Sequence, residues 1–234
     1  MVRYSVVIPA LNEAARIRST VERARAAFGE RGEVIVVDGG SVDGTGVRAT
    51  EAGARVLKSD RGRGRQLQAG IRAARGDVVV LLHADTWLPP GAAAALDDAL
   101  ADPGVAGGAF RIRFENDDGR LPVLLRMLGP AINVRSRLFR TATGDQAIFA
   151  RKNAVIAAGG VPDLPLFEDV RLYRALQRTG RVVLLSSHVA TSPRLWLRAG
   201  PVRVILLHLG FRALHAAGCS PHRLARWYAA LSGR

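Results

Sequence analysis

The feature that most constrains the fold of this chain is a series of short, largely apolar segments separated by stretches with helical periodicity. These segments are residues 5–8, 34–37, 54–57 and 78–82, and the stretches between them place apolar residues at three- and four-residue spacing. Strands that are apolar along their length, rather than at alternate positions, are buried on both faces. The pattern therefore predicts an α/β fold with a mostly parallel, Rossmann-like sheet and helices on both faces.

Polar residues follow three of these strands directly. Glu13 comes after the first strand, Asp38 ends the second, and His83 and Asp85 follow the fourth. Parallel sheets bind ligands beyond the carboxyl ends of their strands, so we expect these side chains to converge on one edge. Carboxylates there can accept hydrogen bonds from a base or ribose, or hold a divalent cation on phosphates.

The glycine-rich turn at residues 38–46 is compatible with nucleotide binding but fits neither common phosphate-binding motif. It contains no G-x-G-x-x-G, and the chain has no G-K-[ST] sequence. The net charge of +14 predicts attraction to anions, whether phosphorylated metabolites, nucleic acid or an acidic membrane surface. Cys219 is the single cysteine, which excludes an internal disulfide and a cysteine-based zinc site. With no signal peptide or long apolar span evident, we expect a cytoplasmic protein.

The second half of the chain differs in pattern. Residues 110–115 alternate between apolar and charged, which predicts a half-exposed, antiparallel strand, and residues 121–128 have helical spacing. Further strands are predicted at 147–149 and 182–185, with a helix between them. The basic and poorly periodic residues 133–143 are predicted to form a mobile loop, and Asn12 is a candidate cap for the first helix.

Five ordered motifs resemble those of glycosyltransferase family 2. They are "SVVIPALNE", "VIVVDGGSVDGT", "GRGRQLQAG", "LLHADT" and "FEDVRL", spread over roughly the first 185 residues. The wording of "LLHADT", "GDQAIF" and "EDV" is most similar to a small arsenosugar-biosynthesis or radical-SAM/selenodomain-associated subgroup. The resemblance implies a GT-A-type nucleotide-binding fold with additional C-terminal helices.

The resemblance also implies a role for each matching position. Asp85 matches the last acid of the Asp-Xaa-Asp motif that holds Mg²⁺ or Mn²⁺, and His83 stands in the place of the first acid. Asp169 matches the general base of inverting members, and Glu168 precedes it. The implied nucleotide-sugar-binding residues are Pro9, Ala10, Glu13, Asp38, Gly39, Ser41, Arg63, Arg65, His83, Ala84 and Asp85. The implied acceptor-binding residues are Gly108, Asp145, Gln146, Arg194 and Trp196.

Each of these positions also has a structural explanation. Asp38 is a common turn residue, Asp85 could cap a helix, and acids such as Glu168 and Asp169 are favoured at helix N-termini. His83 could be a metal ligand, a ribose contact or a hydrogen-bonded structural residue, since imidazole suits zinc better than Mn²⁺.

The implied enzyme is a metal-dependent, inverting glycosyltransferase that uses a UDP- or GDP-sugar and a small-molecule or lipid-linked acceptor. A nucleotidyltransferase and a basic nucleic-acid-binding protein are the alternatives. No nucleic-acid-binding motif is recognised, so we expect no nucleic-acid partner.

We expect residues 1–200 to form the catalytic domain, with a nucleotide-sugar half at 1–104 and an acceptor half at 105–200. Residues 201–234 would be a helical appendage. Two explanations of this basic, apolar segment remain open. It could pack on the core or across a homodimer, or it could rest on the inner face of an anionic membrane.

Overall fold

Eight strands in one mixed sheet organise the protein. The structure is a computed structural model that describes residues 2–116 and 119–232. The strands are β1 Tyr4–Ala10, β2 Gly32–Asp38, β3 Arg55–Lys58, β4 Val78–Leu81, β5 Thr86–Trp87, β6 Val105–Phe114, β7 Ile148–Arg151 and β8 Arg181–Thr191. Their order across the sheet is β3-β2-β1-β4-β7-β6-β8-β5.

The first four strands form the parallel half that the apolar segments predict. β1 lies between β2 and β4, with Val7 opposite Ile35 on one side and Leu81 on the other. β2 continues the parallel pairing to β3. The α/β fold class is confirmed, and the ends of β1, β2 and β4 meet at one edge of the sheet.

The other four strands mix directions. β7 is antiparallel to β4, and β6 is antiparallel to β7 but parallel to β8. The predicted alternation is confirmed at the end of β6, where Phe110, Ile112 and Phe114 are buried and Arg113 is exposed. The predicted antiparallel direction is wrong for this segment, because residues 111–114 pair in parallel with β8. β5 pairs with the end of β8 and thereby brings the segment after β8 beside the segment after β4.

Ten helices surround the sheet. In the part of the chain that the structure describes, they are α1 Ile17–Phe28, α2 Thr45–Glu51, α3 Arg63–Ala73, α4 Ala92–Leu100, α5 Val123–Leu138, α6 Lys152–Ala157, α7 Glu168–Leu176, α8 Arg194–Ala199, α9 Pro201–Ala216 and α10 Pro221–Ser232. Short 3₁₀ turns occupy Gly29–Arg31 and Gly144–Gln146.

Apolar residues cover both faces of the sheet, as continuous apolar strands require. Val6 and Ile8 of β1 pack into a cluster with α1 and α4, whereas the intervening Val7 packs into a second cluster with α3 and α7. Helix α3 lies so close to β1 that a Cβ at Gly70 would fall 2.2 Å from the Val7 Cγ1 atom. This close packing holds α3 against β1.

Two further local predictions are wrong. Residues 133–138, expected in a mobile loop, are the last turns of α5, and only 139–143 lack regular structure. The side chain of Asn133 bonds both the amide and the carbonyl of Ile112, which anchors this part of α5 to β6. Asn12 does not cap α1, because its Oδ1 atom instead accepts the Val42 amide at 3.0 Å.

The predicted C-terminal helical segment forms two helices, and α10 begins at Pro221, a position where proline is tolerated. Phe211 and Leu224 are buried, so the two helices pack together. Within the parts of the chain that the structure describes, no helix is both long and apolar enough to cross a bilayer.

Candidate active site

The loop after β2 is built around Asp38. The Asp38 Oδ1 atom accepts the Ser41 amide at 2.9 Å and also its hydroxyl, and Ser41 in turn accepts the Asn12 amide. Asp38 therefore has the turn-forming role that the sequence leaves open, and it holds the loops after β1 and β2 together. Its position at the sheet edge is also compatible with the base-binding role that the family resemblance implies.

Gln66 of α3 joins the ends of β1 and β2. Its buried amide donates to the Ala10 carbonyl at 2.9 Å and to the Val37 carbonyl at 2.7 Å. A Cβ on Gly39 would meet this amide at 3.0 Å, so glycine is needed there for close packing. Sequence reasoning missed Gln66 although it lies within "GRGRQLQAG", because nothing local shows which backbone groups a buried glutamine satisfies.

Asp85 lies beside a cluster of opposite charges rather than at a helix cap. The Arg194 Nη2 atom is 3.3 Å from Asp85 Oδ2 and also pairs with Glu13 Oε1. The Glu13 Oε2 atom is buried without a hydrogen-bond partner. Arg194, assigned to the acceptor from sequence, thus contacts two residues assigned to the nucleotide sugar.

His83 is held in a confined position. A Cβ on Gly144 would fall 2.3 Å from the His83 Nε2 atom, and this nitrogen is buried without a hydrogen-bond partner. Burial and the nearby Arg63 lower the pKa of His83 to about 3. The ring is therefore neutral at physiological pH, and one of its two nitrogens carries a lone pair.

Asp85 and His83 fit a divalent cation that also binds substrate oxygens. A carboxylate is the hard ligand that Mg²⁺ and Mn²⁺ prefer, and the unpartnered neutral imidazole is a second possible donor. The residues that the structure describes include no group of three or more His, Cys, Asp or Glu side chains able to hold a metal by themselves.

The depressed pKa of His83 makes an acid-stability prediction. The unfolded chain, with an ordinary histidine pKa near 6.5, binds this proton more tightly than the folded chain, so stability falls as the pH drops from 6.5 toward 3. We expect His83→Gln to abolish this part of the loss, at most about 2 kcal/mol at pH 5, since one pH unit per proton corresponds to about 1.4 kcal/mol.

Chemical unfolding at pH 7 and pH 5, without metal, measures the effect of this substitution. His222→Gln removes one exposed histidine and serves as the matched control. The same loss of stability in wild type and His83→Gln would contradict the placement of His83.

Arg63 connects the nucleotide-sugar side to the proposed base. It occupies the first turn of α3, and its Nη1 atom lies 3.2 Å from Oε1 of Glu168, which is only 2% exposed. Burial and the neighbouring Asp169 raise the pKa of Glu168, and Arg63 opposes this. Arg65, by contrast, forms an exposed ion pair with Asp163.

Asp169 is fixed by backbone amides. Its Oδ2 atom accepts the Gly144 amide at 2.6 Å, and its Oδ1 atom accepts the amide of Val170 at 2.6 Å. Phe167, which precedes α7, has a φ of 66°, a conformation that costs energy for a bulky side chain. This strained turn places Glu168 inward and Asp169 beside the loop of Gly144.

Asp145 and Gln146 belong to the same loop but differ in role. Burial and the charge of Asp169 raise the pKa of Asp145, whose Oδ1 atom accepts the Thr143 hydroxyl. Gln146 is completely buried, accepts the Ser136 hydroxyl at 3.0 Å and donates to the Phe110 carbonyl at 3.2 Å. Asp145 therefore stays a candidate for substrate contact, whereas Gln146 holds the loop on β6.

Gly108 and Trp196, both predicted to bind the acceptor, lie within the protein. Gly108 pairs with Phe149, and a Cβ there would fall 2.1 Å from the Val183 carbonyl. Trp196 is 9% exposed and packs against Phe114.

Three residues predicted to bind the nucleotide sugar lie at or just after strand ends. Pro9 and Ala10 are the last two residues of β1, where Ala10 lies opposite Asp38. The carbonyl of the buried Ala84, which follows β4, accepts the Thr20 hydroxyl.

Two residues missed in the sequence, Arg135 of α5 and Arg212 of α9, act electrostatically on Asp145 and Asp169. Only the folded topology brings these helices to the loop of Gly144, so local patterns could not have identified them.

Two curated proteins are similar in sequence to part of this chain. A curated relative, glucosyl-3-phosphoglycerate synthase of Mycobacterium tuberculosis, is 38% identical over 95 residues, covering 36% of this chain and 29% of the relative. An undecaprenyl-phosphate 4-deoxy-4-formamido-L-arabinose transferase of Pectobacterium carotovorum is 38% identical over 97 residues, covering 37% and 30%. The matched part thus spans about 30% of these relatives.

Solved structures share the fold over most of this chain. The M. tuberculosis synthase in complex with Mn²⁺, UDP and glucosyl-3-phosphoglycerate superimposes with a TM-score of 0.57 and 25% identity, covering 81% of this chain and 70% of that one. TarS of Staphylococcus aureus superimposes with a TM-score of 0.60 and 18% identity, covering 81% and 60%.

The sequence model of glycosyl transferase family 2 matches residues 5–157. This range contains β1 to β7, the carboxyl edge with Asp38 and Asp85, and the Gly144 loop. It identifies the chain as a glycosyltransferase, rather than a nucleotidyltransferase or a nucleic-acid-binding protein. The chain belongs to glycosyl transferase family 2.

Proposed function

We propose that this protein transfers a sugar from a UDP-sugar to an acceptor hydroxyl group, with a divalent metal on the diphosphate and inversion at the anomeric carbon. The observation that carries the proposal is the linked cluster of Asp85, Arg63, Glu168 and Asp169 at the carboxyl edge of the sheet. Arg63 is bonded to Glu168, and the negative charges of Asp85 and Asp169 also attract it. One cleft therefore combines a carboxylate suited to bind a metal, a guanidinium group suited to bind phosphate and a carboxylate suited to act as a base.

The donor side supports a uridine nucleotide with Mg²⁺ or Mn²⁺. Asp85, assisted by His83, would hold the metal, which when bound stabilises the negative charge of the leaving diphosphate as a Lewis acid. The M. tuberculosis synthase, which shares 25% identity, contains Mn²⁺ and UDP in its structure. Asp38 and Ser41 would contact the nucleoside, and Arg63 would neutralise the diphosphate.

The proposed reaction is a single displacement at the anomeric carbon with proton transfer to Asp169. Asp169 accepts the proton of the acceptor hydroxyl while the acceptor oxygen bonds to the anomeric carbon and the bond to the diphosphate oxygen breaks. One displacement at one carbon inverts its configuration. The Gly144 and Val170 amides keep Asp169 oriented for this transfer, and no covalent enzyme intermediate is needed.

The subgroup and the placement of the chain in the cell remain part of this proposal. The motifs around His83, Asp145 and Asp169 favour the arsenosugar-biosynthesis or radical-SAM/selenodomain-associated subgroup. Contact of α9 and α10 with an anionic membrane or with a second copy of the chain stays a prediction.

A thermal-shift panel of UDP and GDP, each with and without Mn²⁺, tests the donor assignment. We expect UDP with Mn²⁺ to stabilise the protein by about 2.7 kcal/mol at a ligand concentration 100 times the dissociation constant. Adenosine diphosphate with Mn²⁺ controls for the diphosphate alone. Equal responses to all nucleotides, or no response to any, would contradict the proposal.

A further inference from the structure

One face of α9 is turned toward Phe167 and the start of α7, where Asp169 lies. His208, Arg212 and His215 follow the spacing i, i+4, i+7, so they share one side of the helix. The His215 ring stacks on Phe167 with centroids 4.6 Å apart, and the His208 ring meets Trp196 edge-on at 5.4 Å. These two contacts place Arg212, which lies between the histidines, over the start of α7.

Arg135 of α5 approaches the same region. Its Nε atom is buried without a hydrogen-bond partner, and its Nη2 atom makes a long contact, 3.4 Å, with the Ser136 hydroxyl. Burial and the charge of Arg212 lower the pKa of Arg135, whereas Asp145 and Asp169 raise it. The charges of Asp145 and Asp169 also act on Arg212, so both guanidinium groups lie near the proposed base.

Neither arginine is there to neutralise these carboxylates by direct contact. Among the residues that the structure describes, neither guanidinium group has an ion pair within 4.0 Å. The carboxylate oxygens of Asp169 are instead bonded to backbone amides, and Asp145 is bonded to Thr143. Asp145 and Asp169 attract both guanidinium groups at longer range, but burial and neighbouring positive charges outweigh this attraction. Partly buried guanidinium groups with this electrostatic balance can donate hydrogen bonds to a bound anion.

We propose that Arg135 and Arg212 bind a phosphate group of the acceptor and thereby hold its hydroxyl group beside Asp169. A phosphate monoester offers three oxygens, so two separate guanidinium groups can each donate charge-assisted hydrogen bonds to it. The buried Nε atom of Arg135 would gain its missing partner. This inference rests on the proposed function, because it assumes that Asp169 faces the acceptor.

The test compares a phosphorylated probe with its neutral counterpart. With UDP and Mn²⁺ saturating the donor side, the binding of sn-glycerol 3-phosphate and of glycerol is measured by calorimetry. We expect the doubly substituted Arg135→Gln/Arg212→Gln protein to bind glycerol 3-phosphate at least about tenfold more weakly than wild type. Arg72→Gln/Arg178→Gln removes two exposed arginines elsewhere, and it controls for the general attraction of a basic protein to phosphate.

A second comparison identifies where the phosphate comes from. Phosphatidylcholine vesicles with and without phosphatidic acid are tested for binding by the same three proteins. Loss of affinity for glycerol 3-phosphate supports a soluble acceptor, and loss only for phosphatidic acid supports a lipid-borne phosphate. Affinities that match the control variant for both probes would overturn the inference.

Two further readouts separate the possible failures. We expect Arg135→Gln/Arg212→Gln to keep its affinity for UDP with Mn²⁺ and to melt no lower than wild type, because burial and neighbouring positive charges outweigh the attraction of both arginines to Asp145 and Asp169. A lower melting temperature with unchanged phosphate affinity would mean that the arginines are structural, which contradicts the inference. Failure of wild type to bind UDP with Mn²⁺ would instead contradict the proposed function.

Discussion

Asp169→Asn is expected to lower the rate of sugar transfer about 10²- to 10⁴-fold, the usual contribution of a general base. Asparagine occupies nearly the same volume, and its carbonyl oxygen can still accept the Gly144 amide that Asp169 accepts at 2.6 Å. The substitution therefore removes the basic oxygen, together with its contact to the Val170 amide, while the bond to the Gly144 loop is kept. Single-turnover measurements with a UDP-sugar, together with UDP binding in the presence of Mn²⁺, separate the chemical step from donor binding.

Glu168→Gln provides the informative comparison. Glu168 is bonded to Arg63 and is almost fully buried, so its loss should disturb the position of Arg63 and weaken UDP binding more than Asp169→Asn does. Asp98→Asn, on an exposed position of α4, controls for the removal of one negative charge. Full transfer activity in Asp169→Asn would exclude Asp169 as the base.

The sequence predicted the parallel half of the fold well because that half depends on local patterns. Continuous apolar runs give buried strands, and the residue that ends each run must lie at the sheet edge. Residues 133–138 were misassigned because their tie to β6, through Asn133 and Ile112, is a contact between residues 21 positions apart. Periodicity within a single segment carries no information about such a contact.

The site was predictable to a similar extent and for a similar reason. Asp38, Asp85 and Asp169 are positioned by the ends of strands or helices, which sequence patterns indicate. The environment of Arg194 was not predictable, because it depends on the pairing of β5 with β8. Arg135 and Arg212 likewise come near each other only because α5 and α9 both pack close to Asp145 and Asp169.

Histidine in the place of the first acid changes the charge of the proposed metal site. A carboxylate at that position would be negative at neutral pH, whereas the buried imidazole of His83, with a pKa of about 3, is neutral. Asp85 would therefore supply the negative charge that a divalent cation requires from this motif. The consequence is that metal affinity should depend on Asp85 far more than on His83.

Asp85→Asn is expected to abolish most of the gain in UDP affinity that Mn²⁺ provides and to slow transfer at least about 100-fold. Without metal, we expect the substitution to change UDP affinity in the opposite direction. Asparagine removes a negative charge that repels the diphosphate, and it releases Arg194 from one of its two carboxylates. UDP alone should therefore bind the variant as well as wild type or more tightly.

Calorimetric titrations of UDP with and without Mn²⁺ measure both signs on one protein, so misfolding cannot account for the result. Asp98→Asn is the matched control because it removes an exposed carboxylate of the same type. A metal that is held chiefly by Asp85 requires the Mn²⁺-dependent gain to disappear while metal-free binding persists. The same gain in wild type and Asp85→Asn would exclude Asp85 as the main metal ligand, and parallel losses in both titrations would place Asp85 in the fold of the loop instead.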